Sequence, residues 1–151
     1  MGYIRNEIIG WAKWDMNYED YYEPTKEELD SYFKTTGASQ YGYSKKIQWC
    51  GIWACYILRR AGLNVRWLSA KGIQNVTGKQ VTLVSGGQGL RPGDVAVVNN
   101  GYVHHFIIED VIEEYDMIIS RDGNQSTQVP CMKKRYDHSL SGIWYYYHIE
   151  E

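Results

Sequence analysis

The run Trp49-Cys50-Gly51-Ile52-Trp53-Ala54-Cys55-Tyr56-Ile57-Leu58-Arg59-Arg60-Ala61-Gly62 decides the fold. It is strongly apolar. Two arginines near its end favour the negative end of a helix dipole, and Gly62 can cap it. The reading is a buried helix with Cys50 in its first turn. Such a helix needs a large apolar partner, and the only comparable area lies in the strand-like second half of the chain.

The segments before this run read as helical. Glu7 to Trp14 places Ile8, Ile9, Trp11 and Ala12 at roughly helical spacing. Thr25-Lys26-Glu27-Glu28 has the capping-box pattern and follows Pro24, which predicts a helix from Lys26 to Phe33. Gly37 to Ser44 reads as a loop. After the Cys50 helix, a second short helix is expected over Val65 to Lys71, ended by Gly72. Strands are expected at Val81–Val84, Asp94–Val98, Val103–Val111, Met117–Arg121, Gln128–Tyr136 and Ile143–Ile149. Asn100-Gly101 is the strongest hairpin signal among them. Helices first and an antiparallel sheet afterwards make the fold class α+β. The expected domain is a single one over 1–151, with the nucleophile helix packed on the sheet.

Composition narrows the function. At 151 residues, with 44% apolar and 23% charged residues, the chain suits one globular core. A net charge of −2 with no basic stripe argues against nucleic acid as a partner. Lys133-Lys134-Arg135 reads as a solvated strand face. No run reaches the ~20 apolar residues of a membrane span. The start Met1-Gly2-Tyr3-Ile4-Arg5-Asn6-Glu7 has no secretory-signal pattern, so the expectation is synthesis in the cytoplasm and delivery by a non-classical route. The 3 cysteines fit neither a disulfide framework nor a metal-ligand spacing. Tyr and Trp are abundant, 14 and 6, against 2 Phe. They fill a small β-rich core or line a surface that stacks on sugars and peptides.

Cys50 is the residue with chemical promise. A thiol at a helix N-terminus feels the positive end of the dipole, and an imidazole within reach makes it a nucleophile. His104 and His105, in a strand, are the candidate bases. Asp122 and Asn124, in Ser120-Arg121-Asp122-Gly123-Asn124-Gln125, sit at the end of the next strand and are candidates to orient the imidazole. Each feature alone has a bland reading as core filler, strand histidine or ordinary turn. Their co-occurrence in the required order favours chemistry. Cys55 and Cys131 read as filler.

Four segments in order, Trp49-Cys50-Gly51-Ile52-Trp53-Ala54, Pro92-Gly93-Asp94-Val95-Ala96-Val97, His104-His105-Phe106-Ile107-Ile108 and Asp122-Gly123-Asn124-Gln125-Ser126, resemble the cysteine, histidine-dependent amidohydrolase/peptidase (CHAP) family of the NlpC-like papain superfamily. The resemblance spans about Lys46 to Tyr136. It implies a papain-like fold and hydrolysis of bacterial peptidoglycan amides, by amidase or endopeptidase action. Cys50 would be the nucleophile and Asn124 the orienting residue, with Asp122 at the family's acidic position but one methylene shorter than the usual Glu. Phe106-Ile107 departs from the pattern, since many members carry a small residue there to let the helix approach. Aligning the apolar tail favours His104 as base, and spacing to Asp122-Gly123-Asn124 favours His105. Strand alternation implies that only one faces Cys50, and His105 is the choice taken here. The oxyanion would be held by the Cys50 N–H, with Gln48 and Tyr43 nearby in sequence.

The mechanism needs no metal or cofactor. The expected partners are peptidoglycan or a peptide substrate and, for a chain delivered to another cell, a dedicated inhibitor or immunity protein. The rival readings are a papain-like protease, deamidase or transglutaminase-like toxin acting on a protein, and a non-catalytic binding module with an inert Cys50.

Overall fold

The computed structural model describes residues 2–126 and 128–151. Three helices precede the sheet: α1 (Tyr3–Asp15), α2 (Lys26–Thr36) and α3 (Cys50–Arg60). The capping box forms as the sequence demands, with the Thr25 hydroxyl accepting from the Glu28 N–H and the Glu28 carboxylate from the Thr25 N–H. Gly37 closes α2 in the left-handed conformation at φ 79°, which a side chain would resist.

A short strand β1 (Tyr21–Tyr22) precedes α2. After α3 come β2 (Val65–Leu68), β3 (Gly72–Asn75), β4 (Val81–Ser85), β5 (Val95–Asn99), β6 (Val103–Ile112), β7 (Met117–Asp122), β8 (Met132–His138) and β9 (Tyr145–Ile149). Seven of them form one antiparallel sheet in the order β1-β8-β7-β6-β5-β9-β4. The α+β expectation is met. The Asn100-Gly101 turn joins β5 to β6 as an antiparallel hairpin. No helix of the described residues is long and apolar enough to cross a membrane.

Two expectations are corrected. The stretch expected as a helix over Val65 to Lys71 is instead the first arm and turn of the separate β2–β3 hairpin. Val65 turns into the core while Arg66 stays exposed, an alternation of period two, and Gly72 at φ 81° makes the reversal. The strand expected from Gln128 begins only at Met132, because Pro130 precedes it with no N–H to give a ladder. Thr127, inside that expected strand's approach, lies outside the described residues.

The sheet is covered on both faces. Val95, Val97 and Ile107 pack with the three helices, whereas Ala96, Val98, Phe106 and Ile108 join Leu90, Ile118, Ile143 and Tyr146 in a second cluster. This explains why Val95-Ala96-Val97-Val98 is a continuous apolar run rather than an alternating one. The Pro92-Gly93-Asp94 turn seats the N-terminal helix. Gly93 has φ 94°, and a Cβ there would lie 2.8 Å from that of Arg5. The fully buried Arg5 guanidinium donates to Pro92 O (3.0 Å), Asp94 Oδ1 (2.8 Å) and Ile149 O (3.1 Å).

Removing one member of a buried ion pair strands the other charge. Arg5→Met should therefore lower the unfolding free energy by about 3–5 kcal/mol, read as a fall in the urea midpoint without a change in slope.

Candidate active site

Cys50 opens α3 with nothing competing for the helix end. The N-cap residue Trp49 makes no side-chain cap and the first turn holds no acidic residue, so its N–H groups and their partial positive charge stay available. Two close packings fix where this end meets the sheet. A Cβ on Gly123 would lie 3.0 Å from the Trp49 ring and 3.5 Å from the Trp53 ring. A Cβ on Gly51 would lie 2.4 Å from the Trp67 ring and 3.0 Å from His105 Cγ. Glycine at both positions lets the start of α3 sit at the end of the sheet where β6 begins and β7 ends.

The nearby imidazoles belong to adjacent residues with different partners. His104 Nε2 donates to Asp122 Oδ2 at 2.7 Å. His105 Nε2 faces the Tyr147 hydroxyl at 3.4 Å, and its ring stands edge-on to Trp67 at 5.2 Å. In each case the outer nitrogen is engaged away from the sulfur, which leaves Nδ1 as the ring nitrogen for the thiol. Burial pushes the Cys50 thiol up, but hydrogen bonding and charge from His104 and then His105 bring it down to about 6. His104 is the complement. Burial lowers it, while the Asp122 hydrogen bond and the Cys50 sulfur raise it to about 9. Between those values the pair rests as thiolate and imidazolium, and the two apparent values belong to the pair. The regular hydrogen bonds of both rings end on groups other than Sγ.

The two side chains leave β6 on opposite faces, His105 opposite Val97 and His104 opposite Val98. His105 is the one that lines the cleft with Cys50, while the hydrogen bonding and charge of both rings lower the thiol. The orienting carboxylate belongs to His104, not to His105.

Asp122 is fully buried and accepts three hydrogen bonds, with an arginine close by. Besides His104, His138 Nε2 donates to Oδ2 at 2.8 Å, the Ser120 hydroxyl donates to Oδ1, and Arg135 Nη1 stands 3.7 Å from Oδ2. Burial pushes this carboxyl up, and the hydrogen bonds from His104 and His138 hold it below the ordinary range. An aspartate suffices where a glutamate was the pattern, since strand pairing already brings the two backbones together. Asn124 has φ 58° and reaches neither imidazole among the described residues. Its neighbour Gln125 comes closer, but its amide donates to Gly123 O (2.9 Å) and its carbonyl accepts from Arg135 (3.0 Å). That fixes the amide, so its 3.4 Å approach to His104 Nε2 is packing rather than a second orienting bond.

His138, Ser120 and Arg135 escaped the sequence reading as site residues. His138 stacks face to face on Phe106 at 3.8 Å, which places Phe106 on the face away from α3 and leaves Ile107 to meet the helix cluster. Among the described residues His104, Asp122 and His138 form the one group with three metal-ligand atoms within 4.8 Å of one another. Each imidazole already aims a donor at the same carboxylate oxygen, and this arrangement is satisfied without an ion. Cys55 and Cys131 are buried free thiols, and burial pushes Cys55 up to about 12.

A cleft of about 280 Å³ opens over Cys50, walled by Trp67, Lys71, His105, Trp144 and Tyr145, with Gln48 at its rim. Tyr43 packs on the helix cluster and does not line it. Larger hollows lie beside Gly86–Leu90 (about 460 Å³) and along Lys133–Asp137 (about 690 Å³), but neither contains the thiol or either imidazole. Comparison with protein-family models, curated proteins and solved structures found no match to this chain.

Alkylation by iodoacetamide should label Cys50 with a rate that rises through pH 6 and then levels, while Cys55 stays unlabelled in the folded protein. Asp122→Asn removes the charge that sustains the His104 imidazolium, so it should move that midpoint upward. A midpoint near the ordinary thiol range in the parent protein would contradict the ion pair.

Proposed function

We propose that this protein is a cysteine hydrolase of papain-like architecture that cleaves amide bonds of bacterial peptidoglycan, as an amidase or an endopeptidase. One observation carries the chemistry. The buried Cys50 thiol stands at an uncapped helix start and is lowered to about 6 by His104 and His105, and Asp122 holds His104 at 2.7 Å. That is the nucleophile, base and orienter set of acyl transfer. The aromatic walls of the cleft and the four segments resembling CHAP proteins support the substrate.

In this reading the Cys50 thiolate attacks the amide carbonyl and the His104 imidazolium protonates the departing amine. His104 then takes a proton from water, whose hydroxide attacks the thioester; the acid departs and the thiolate–imidazolium pair is restored. Asp122 keeps the imidazole in one tautomer and stabilises its charged form. His138 and Ser120 keep Asp122 in place.

The pH dependence follows from the signs. Thiolate is lost as pH falls through about 6, and imidazolium is lost as pH rises through about 9. Activity should be bell-shaped between those limits. Purified protein mixed with bacterial sacculi should release soluble fragments, and mass mapping of the new termini identifies the amide cleaved. Cys50→Ala should abolish release, and His104→Ala should lower it by about 10²-fold or more, with the melting temperature little changed for Cys50→Ala. Release that survives Cys50→Ala defeats the proposal. Intact sacculi combined with cleavage or deamidation of a protein substrate would favour the toxin reading.

A further inference from the structure

With His104 assigned to proton transfer, the second imidazole has no role in the scheme, yet it is the one that lines the cleft beside Cys50. Its surroundings fix its proton. The Tyr147 hydroxyl accepts a hydrogen bond from the buried Ile73 N–H at 3.2 Å. The phenol proton is then available to His105 Nε2 at 3.4 Å, with the Tyr145 hydroxyl as the competing acceptor. A nitrogen that accepts there carries no hydrogen, so a neutral His105 has its proton on Nδ1. His104 is the reverse case, because giving Nε2–H to a carboxylate leaves a basic lone pair on Nδ1. In their neutral forms the two rings would then hold opposite tautomers, the His104 lone pair and the His105 proton both on Nδ1.

The ring of His105 is also immobilised. It stacks against Tyr147 at 5.8 Å with 28° between planes and meets Trp67 edge-on. A Cβ on Gly72 would lie 2.4 Å from the Tyr147 hydroxyl and 3.6 Å from His105 Nε2, so the β2–β3 hairpin closes tightly over this pair. Its Cγ is the ring atom against the Gly51 position of α3.

We propose that His105 is a catalytic residue of the oxyanion site, its Nδ1–H joining the Cys50 backbone N–H in holding the substrate carbonyl oxygen. This rests on Cys50 being the nucleophile. As the Sγ–C bond forms, the C=O π pair moves onto oxygen and is stabilised by these two donors. When the intermediate collapses the pair returns, the leaving group departs, and His105 neither gains nor loses a proton. Tyr147 is a positioning residue that holds the tautomer.

Two reagents separate this role from a structural one. Acylation by p-nitrophenyl acetate passes through a tetrahedral oxyanion and expels a phenolate that needs no general acid. Iodoacetamide alkylates the same sulfur by displacement with no oxyanion. Both rates are compared on their plateaus above the thiol midpoint, so that a change in thiolate fraction drops out. For His105→Ala, acylation should fall by about 10²-fold, the usual effect of losing one oxyanion donor, while alkylation falls by less than about 3-fold. For Tyr147→Phe, which keeps the stacked ring, acylation should fall by about 10-fold with alkylation unchanged. Equal losses of both rates, or no loss of acylation, overturn the assignment. If the parent protein is alkylated but gives no p-nitrophenolate burst, the nucleophile reading itself fails.

Discussion

The burial of the Cys50 sulfur among ionisable groups is the constraint on which the site depends. Cys50 is only 3% exposed, and an uncompensated charge at that depth would take up a proton instead. The compensation comes from two sources that the chain separates: the free N–H groups at the start of α3 and the imidazoles of β6, one of which the carboxylate at the end of β7 keeps basic. Asp122 in turn is a buried charge that needs its own donors, which explains why His138 and Ser120 surround it. Every polar group in this chain of contacts is costly alone and tolerable only in company.

Close approach makes that company possible. Gly123 and Gly51 lie on opposite sides of the contact between helix and sheet, and each admits an aromatic ring where a methyl group would collide. Trp49 and Trp53 lean on one and Trp67 on the other. The aromatic wealth of the chain therefore has a double use. Part of it is core, fastening the helix to the sheet end. Another part, Trp144 and Tyr145 beside Trp67, stays at the surface around the cleft.

Two adjacent histidines with different outer partners give a simple division of labour. A carboxylate raises the basicity of one ring, and a phenol that accepts from a backbone amide stands beside the other. The same β6 backbone presents both groups. Alternation along the strand sends them to different faces, and His105 is the one beside Cys50 in the cleft.

The sequence by itself determined the elements whose causes are local. The Thr25–Glu28 box, the Asn100-Gly101 reversal, the apolar run from Trp49 and the glycine after it act within a few residues, so helices, hairpin and the position of Cys50 at a helix start were all legible. The β2–β3 hairpin was not. Trp67 and Leu68 are compatible with either helix or strand, and only packing against α3 selects the period of two. Which imidazole receives the carboxylate was likewise a tertiary matter. It depends on where α3 meets the sheet end, and spacing along the chain carries no information about that. His138 is the clearest case: nothing around it in sequence marks it, and it enters the site only because β8 pairs beside β7 and Phe106 offers it a ring to lie on.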